Sequence, residues 1–201
     1  MDFYEFDAGV RAEGYALLCG VDEAGRGPLA GPVYAAAVIL SPDTVLDRVN
    51  DSKKLSPKRR DRLFDEIIEK AAAYGVASAS VEEIAELNIL QASLLAMARA
   101  AEQLKMTPSL ILVDGLQIPK QFLRRGIPAR AVTHGDGLSA SIAAASILAK
   151  VSRDRYMLEL DQKYPQYGFR DHKGYGTAAH YAALAEYGPS PIHRMGFIHM
   201  K

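Results

Sequence analysis

The 201-residue chain has one cysteine, Cys19, so neither an intrachain disulfide nor a thiolate metal cage can form. It has no apolar run of 18 residues and no basic-then-apolar leader pattern. A reducing cytoplasm, with no membrane partner, is therefore the expected setting. Nor is there a net charge: 24 Lys and Arg balance 24 Asp and Glu, so an anionic partner must be held by local charge rather than by the overall field. Neutrality does not exclude nucleic acid. The five histidines, 134, 172, 180, 193 and 199, show no HxxxH spacing, and no CxxC is present, which disfavours zinc. No long polar linker, internal repeat or low-complexity tract divides the chain, so one domain over 1–201 is expected.

What is present reads as an α/β protein. Apolar residues are 49% and charged residues 24% of the chain, an ordinary globular balance. Ala16 to Val21 and Val33 to Leu40 are apolar runs joined by about a dozen residues rich in Gly and Pro. So short a connection leaves no room for a crossover helix, and predicts neighbouring antiparallel strands. Ser56-Pro57 marks a helix start, and Leu63, Phe64, Ile67, Ile68 and Ala71 follow at helical spacing to about Ala73. A strand over Tyr74 to Ser80, a helix over Asn88 to Leu104, and short strands at Leu110 to Val113 and Ala129 to Thr133 follow. Ser139 to about Lys163 is helical, and its first half is apolar nearly all round, which predicts burial under the sheet. A last helix starts after Thr177 and stops at Gly188-Pro189. This order predicts a mixed sheet.

Three apolar runs end alike, with Asp22, Asp114 and Asp136 at or just past the last residue and a glycine close by. Ligands of open α/β sheets bind beyond strand ends, so on neighbouring strands these carboxylates converge. Glu23 joins them if the strand is already ending there, because successive strand residues otherwise face opposite ways. Crowded carboxylates call for a cation, and hard Mg²⁺ or Mn²⁺ suits carboxylate oxygen. The competing reading is that each aspartate caps its own turn, which leaves Glu23 unexplained.

The segment GRGPLAG, Gly25 to Gly31, could pass for a dinucleotide-binding loop, but that loop must open a helix, and Pro28 and Pro32 precede a strand-like run instead. Gly25 and Gly27 let the backbone approach a sugar or phosphate, and Arg26 offers a forked donor. The alternative is a plain Gly-rich turn. Between Arg48 and Arg62, seven cations (Arg48, Lys53, Lys54, Lys58, Arg59, Arg60 and Arg62) face two anions. Cations in a first helical turn oppose the macrodipole by about 0.3 to 1 kcal/mol each, which a nucleic-acid backbone would offset. Tyr175, between Gly174 and Gly176, suits a flat ring presented to a sugar or base, or an aromatic packed over a loop.

Together these residues carry a resemblance. GVDEAGRGPLAGPV, NDSKKLS, ELNIL, VDG, IAAASILAKVSRD, YPQYGF, HKGYGT and HRMGF run nearly end to end, and the chain resembles the type 2 ribonuclease H family, most closely its bacterial HII branch. The resemblance implies a ribonuclease H-like α/β fold with a central five-stranded mixed sheet flanked by helices, and a C-terminal helical part, about 164–201, packing beside the active site. It implies an endoribonuclease that cuts the RNA strand of RNA·DNA hybrids, or single ribonucleotides in duplex DNA. Two Mg²⁺ or Mn²⁺ ions would serve the reaction, which leaves 5′-phosphate and 3′-hydroxyl ends. The family's catalytic and metal-holding carboxylates fall on Asp22, Glu23, Asp114 and Asp136. Its ribose-sensing motif falls on Gly25, Arg26 and Gly27, its sugar-stacking tyrosine on Tyr175, and a basic backbone-touching segment on Lys53 and Lys54. His134 stands where the family usually has Lys, and Gly196 where it commonly has Ser. A monomer is expected. Two rivals are a non-catalytic hybrid-binding module and a metal-dependent phosphatase of small esters; the carboxylates argue against the first and the basic run against the second.

Overall fold

The computed structural model describes residues 3–46 and 56–199. Its sheet has five strands: β1 (Leu18–Ala24), β2 (Val33–Ile39), β3 (Ala73–Ala79), β4 (Leu110–Asp114) and β5 (Ala129–Val132), in the order β3-β2-β1-β4-β5. β1 and β2 run antiparallel, the consequence of the short Gly/Pro-rich connection, and β3 adds antiparallel to β2 after the helix α2 (Pro57–Lys70). β4 and β5 then add parallel to β1.

Both faces of the sheet are covered. β2 sends Ala35, Ala37 and Ile39 to one face and Ala36 and Val38 to the other, all fully buried. The first face packs on α4 (Ile89–Glu102) through Ala92, Ala96 and Met97, the second on α2 (Pro57–Lys70) and α6 (Ala140–Lys163) through Leu63, Ile67, Ala144, Ile147 and Leu148. The largely apolar first half of α6 thus lies on the sheet beneath α2. Gly20 makes the contact close, since a Cβ there would collide with the backbone of Ser141. A third cluster joins Leu29, Ala30 and Met157 to Tyr167, Phe169 and Leu184, tying the segment beyond α6 to the β1–β2 connection. That segment contains α7 (Phe169–His172) and α8 (Ala178–Tyr187).

Several boundaries differ from the sequence reading. The helix expected to reach Ala73 ends at Lys70, because Ala73 pairs with Ile39 and opens β3. Four helices were not expected: α1 (Phe3–Ala12), α3 (Val81–Leu87), α5 (Lys120–Arg124) and the four-residue α7. In α1 the buried face contains a charge, which breaks the apolar spacing. Asp7 accepts hydrogen bonds from the Ser139 hydroxyl at 2.6 Å and from the Ser141 backbone N–H at 3.0 Å and hydroxyl at 2.7 Å. It therefore anchors α1 on the N-terminus of α6, where an anion complements the helix dipole. α3 is seven residues with one buried position, Ile84, and is held by the reciprocal cap between Ser80 and Glu83.

Candidate active site

The parallel ladder between β1 and β4 ends at the Val21–Val113 pair, while β1 goes on pairing with β2 as far as Ala24. Beyond Val21 the two parallel strands therefore part, and the next residues in register are Asp22 and Asp114. Parallel neighbours stand about 4.8 Å apart, so like charges meet across the opening. The strand does not end at Glu23, as its joining the site was expected to require. Instead the open β4 side admits both acids to one cleft of about 270 Å³, with Asp114, Gly25, Arg26, Gly27, Ser146, Lys150 and Tyr175 also in its lining. Asp22 Oδ1 turns back to accept the Glu23 N–H at 2.7 Å.

Asp136 stands one step away. The turn after β5 folds over the end of β4, and Asp114 Oδ1 accepts the N–H groups of Gly135 at 2.7 Å and Asp136 at 3.4 Å. His134 enters this turn in the left-handed region, with φ 56°, and its side chain lies on a neighbouring groove that also touches Glu23, Arg26 and Asp114. The cleft itself is lined by three of the four expected carboxylates, with Asp136 buried beside it. Among the described residues, no three His, Cys, Asp or Glu side chains stand as a ready-made metal cage.

The electrostatics explain why a cation suits the place. Asp22 is 4% exposed; burial, then the charges of Glu23 and Asp114, push its carboxyl well above the usual range, against a hydrogen bond from Ser146. Burial also raises Glu23, offset in part by Arg26, which donates to Glu23 Oε1 at 3.2 Å. Arg26, half exposed, thus partners a carboxylate of the cleft while most of its donors stay open to the solvent side. Oxygen donors crowded at one strand opening, with like charges raising Asp22 and Glu23, fit a hard divalent ion and not zinc.

The Gly-Arg-Gly segment is held from beneath by two buried arginines whose roles the sequence reading missed. Arg194 donates to the carbonyls of Gly25 at 2.7 Å, Arg26 at 2.9 Å and Gly31 at 2.8 Å. Arg153, on α6, donates to Ala30 at 3.1 Å, Pro32 at 3.1 Å and, on the facing loop, Lys173 at 3.0 Å. Burial lowers Arg194 to about 9, so it remains charged at neutral pH. Gly25 has φ 94° and lies against Arg153 so closely that a Cβ would collide with its side chain. A Cβ on Gly27 would stand 3.7 Å from the Tyr175 ring, so the glycine loop and the tyrosine face each other across the cleft. Gly196 faces open space that a serine would fit.

Lys150 and Tyr175 also border a second groove of about 410 Å³ with Arg60, Asp61, Arg155 and Lys173. That groove carries the cleft toward the first turn of α2, where Lys58, Arg59 and Arg60 lie. Lys53 and Lys54 fall outside the described residues.

The family comparison takes in the cleft and nearly all of the chain: the profile described as Ribonuclease HII matches residues 19–200. The chain belongs to the ribonuclease HII family. Ribonuclease HII of Caldicellulosiruptor bescii is 52% identical over 197 residues, covering 98% of this chain and 94% of that protein. Ribonuclease HII 1 of Methylibium petroleiphilum is 60% identical over 181 residues, 90% and 89% of the two chains. The crystal structure of ribonuclease H2 from Pyrococcus horikoshii superposes with a TM-score of 0.72 at 31% identity, covering 90% of this chain and 93% of that one. Like its ribonuclease HII relatives, the chain is an endoribonuclease acting on RNA·DNA hybrids. No helix among the described residues is long and apolar enough to cross a membrane.

Proposed function

We propose that Asp22, Glu23, Asp114 and Asp136 are the hydrolytic centre of a cytoplasmic ribonuclease HII that acts as a single domain and a monomer, with residues 164–199 flanking the site. It would cut the RNA strand of hybrids and single ribonucleotides embedded in duplex DNA, leaving 5′-phosphate and 3′-hydroxyl ends. The observation that carries this is the pair Asp22 and Asp114, set opposite each other where the β1–β4 ladder stops. Two Mg²⁺ or Mn²⁺ ions, when bound by these carboxylates, would supply an activated water and offset charge on the scissile phosphate.

The remaining work falls to the chain's own groups. Arg194 engages the carbonyls of Gly25 and Arg26, which leaves the backbone N–H groups of Gly25 to Gly27 as donors toward a 2′-hydroxyl. Each carbonyl keeps a second lone pair as acceptor, so both halves of the hydroxyl could be read. Tyr175 would stack on the adjoining sugar. The basic turn of α2, with Lys53 and Lys54 before it, would follow the phosphate backbone.

A duplex carrying one ribonucleotide, incubated with Mg²⁺, with Mn²⁺ and with chelator and resolved on a gel, tests the reading. Cleavage at the ribonucleotide with either ion and none with chelator is expected. Cleavage that persists in chelator would overturn the metal assignment.

A further inference from the structure

Three imidazoles lie behind Tyr175, and their protons can be assigned from geometry. His180, on α8, and His193 meet Nε2 to Nε2 at 3.0 Å. The backbone N–H of Ser190 points at His193 Nδ1 from 2.9 Å. A backbone N–H can only donate, so Nδ1 accepts and the His193 proton is on Nε2. That proton is given to His180 Nε2, which places the His180 proton on Nδ1, 2.9 Å from the carbonyl oxygen of Tyr175. The reverse direction would leave two acceptors facing at Tyr175 and would set a ring N–H against the Ser190 N–H; with the protons as assigned, the Ser190 hydroxyl, 2.8 Å from His193 Nδ1, is a second donor to that nitrogen. His172, stacked on His180 at 4.5 Å, accepts the Gly174 N–H at Nδ1 (3.2 Å) and so donates from Nε2 to the Tyr167 carbonyl at 2.9 Å. So placed, every nitrogen of the three rings has a partner.

We infer that the chain Ser190–His193–His180 is a positioning device for Tyr175, fixing its backbone carbonyl and thereby the place of its ring over the cleft. The inference rests on the reading of Tyr175 as the residue that contacts substrate. Tyr175 is 44% exposed, with Arg153 6.0 Å from the ring centroid and Gly27 among its neighbours. A ring so exposed depends for its position on the backbone that carries it. That backbone is held throughout. Arg153 donates to Lys173 O, the Leu29 N–H donates to Gly174 O, and His180 and the Thr177 N–H both donate to Tyr175 O. Of these, only the imidazole chain reaches across from α8 and the loop after it. Hydrogen bonds in series with one direction reinforce one another. Burial of both rings, and their nearness to each other and to His172, keeps His193 down at about 4 and His180 below its ordinary value, so the neutral chain persists at physiological pH.

Two measurements test the inference. Long-range ¹H–¹⁵N NMR of the full chain labelled at histidine is expected to place the proton of His193 on Nε2 and that of His180 on Nδ1; either opposite tautomer overturns the chain. This readout needs no variant. In cleavage of a duplex with one ribonucleotide, His193→Ala is expected to lower kcat/KM about tenfold, the effect of one lost buried hydrogen bond. His193→Gln, which keeps an N–H near the Nε2 position, is expected to recover most of the loss. In a Tyr175→Ala background, His193→Ala is expected to cost little more, because the loss runs through the ring already removed. Fully additive losses would show that His193 acts elsewhere. Wild-type turnover by Tyr175→Ala alone would instead overturn the substrate-contact reading on which the inference rests, a result distinct from the tautomer outcome.

Discussion

The two walls of the cleft are built on opposite electrostatic terms. On the sheet side, burial and then the charges of Glu23 and Asp114 raise Asp22, and burial and Asp114 raise Glu23, with Arg26 on Glu23 as partial compensation. On the loop side, Arg153, Arg194, His180 and His193 are buried with their donors and acceptors matched to backbone carbonyls, an N–H and each other. The sheet wall is unfavourable until something positive arrives, whereas the loop wall is complete without ligand. Chemistry requires the first and accurate placement of substrate the second. The contrast also explains why charge in the core takes two forms here: carboxylates kept near one another, and cations dissolved in carbonyl oxygens.

The sharpest break of this contrast is Asp22→Asn. Cleavage is expected to fall by about three orders of magnitude or more, the scale seen when a reacting group is lost, as measured by single-turnover assay. The fold should become more stable. Asp22 is raised in the folded chain, so its favourable contribution is present below the unfolded pKa and lost as pH rises through the folded one; once ionised, its charge is a burden. Asparagine removes that charge and can still accept the Glu23 N–H. An increase of about 2 to 4 °C in Tm, corresponding to ~1 kcal/mol in a chain of this size, is expected. A lower Tm would show that the acidic wall is not strained.

Removing the loop wall's main support should do the reverse. Arg194→Ala leaves three buried carbonyls short of a donor and is expected to destabilise the fold by about 2 to 3 kcal/mol, measured by denaturant unfolding. It should also weaken discrimination between a ribonucleotide and DNA at the cut site, since Gly25 and Arg26 lose their anchor. Arg194→Lys should rescue little, because an ammonium cannot spread over three acceptors as a guanidinium does.

The smallest effect is in the pH dependence of stability, where the walls should oppose each other. His193 is held at about 4 against an ordinary 6.5, so its contribution is complete above pH 6.5 and is lost as pH falls from there toward 4. The rings of His172 and His180 and the cations Arg153 and Arg194 around this region add nothing that would favour protonation. Asp22 works in the other direction, gaining as pH falls. A thermal scan across this window should lose stability more steeply toward low pH in Asp22→Asn, where the histidine limb meets less opposition, and less steeply, or with the opposite slope, in His193→Gln. Identical profiles in both variants would contradict the assignment.

The sheet and the acidic cleft were legible in the sequence because their signals are local. Apolar runs of strand length ended in Asp22, Asp114 and His134-Gly135-Asp136, and the short Gly/Pro connection admitted only an antiparallel return. The glycine loop and Tyr175 were legible as exposed features, but what holds them was not. Arg194 meets carbonyls 163 to 169 positions earlier in the chain, and nothing about an arginine near a C-terminus announces that. His180 and His193 were tested only against metal-ligand spacing, whereas they bond to each other and to backbone. α1 escaped because its most informative buried residue, Asp7, is charged and meaningful only beside Ser139 and Ser141.

The 24 residues of α6 are one uninterrupted rod, about 36 Å long. Along it are spaced Ser141 against Gly20, Ser146 and Lys150 in the cleft, Arg153 between the two loops, and Met157 beneath the C-terminal segment. Because each residue advances the helix by roughly 100°, adding or deleting a single codon between positions 141 and 157 would swing every later side chain away from its partner. Over generations, length changes should therefore accumulate in the connecting segments of this enzyme and be purged from this stretch, whose residue count is as much a part of the machinery as its acids.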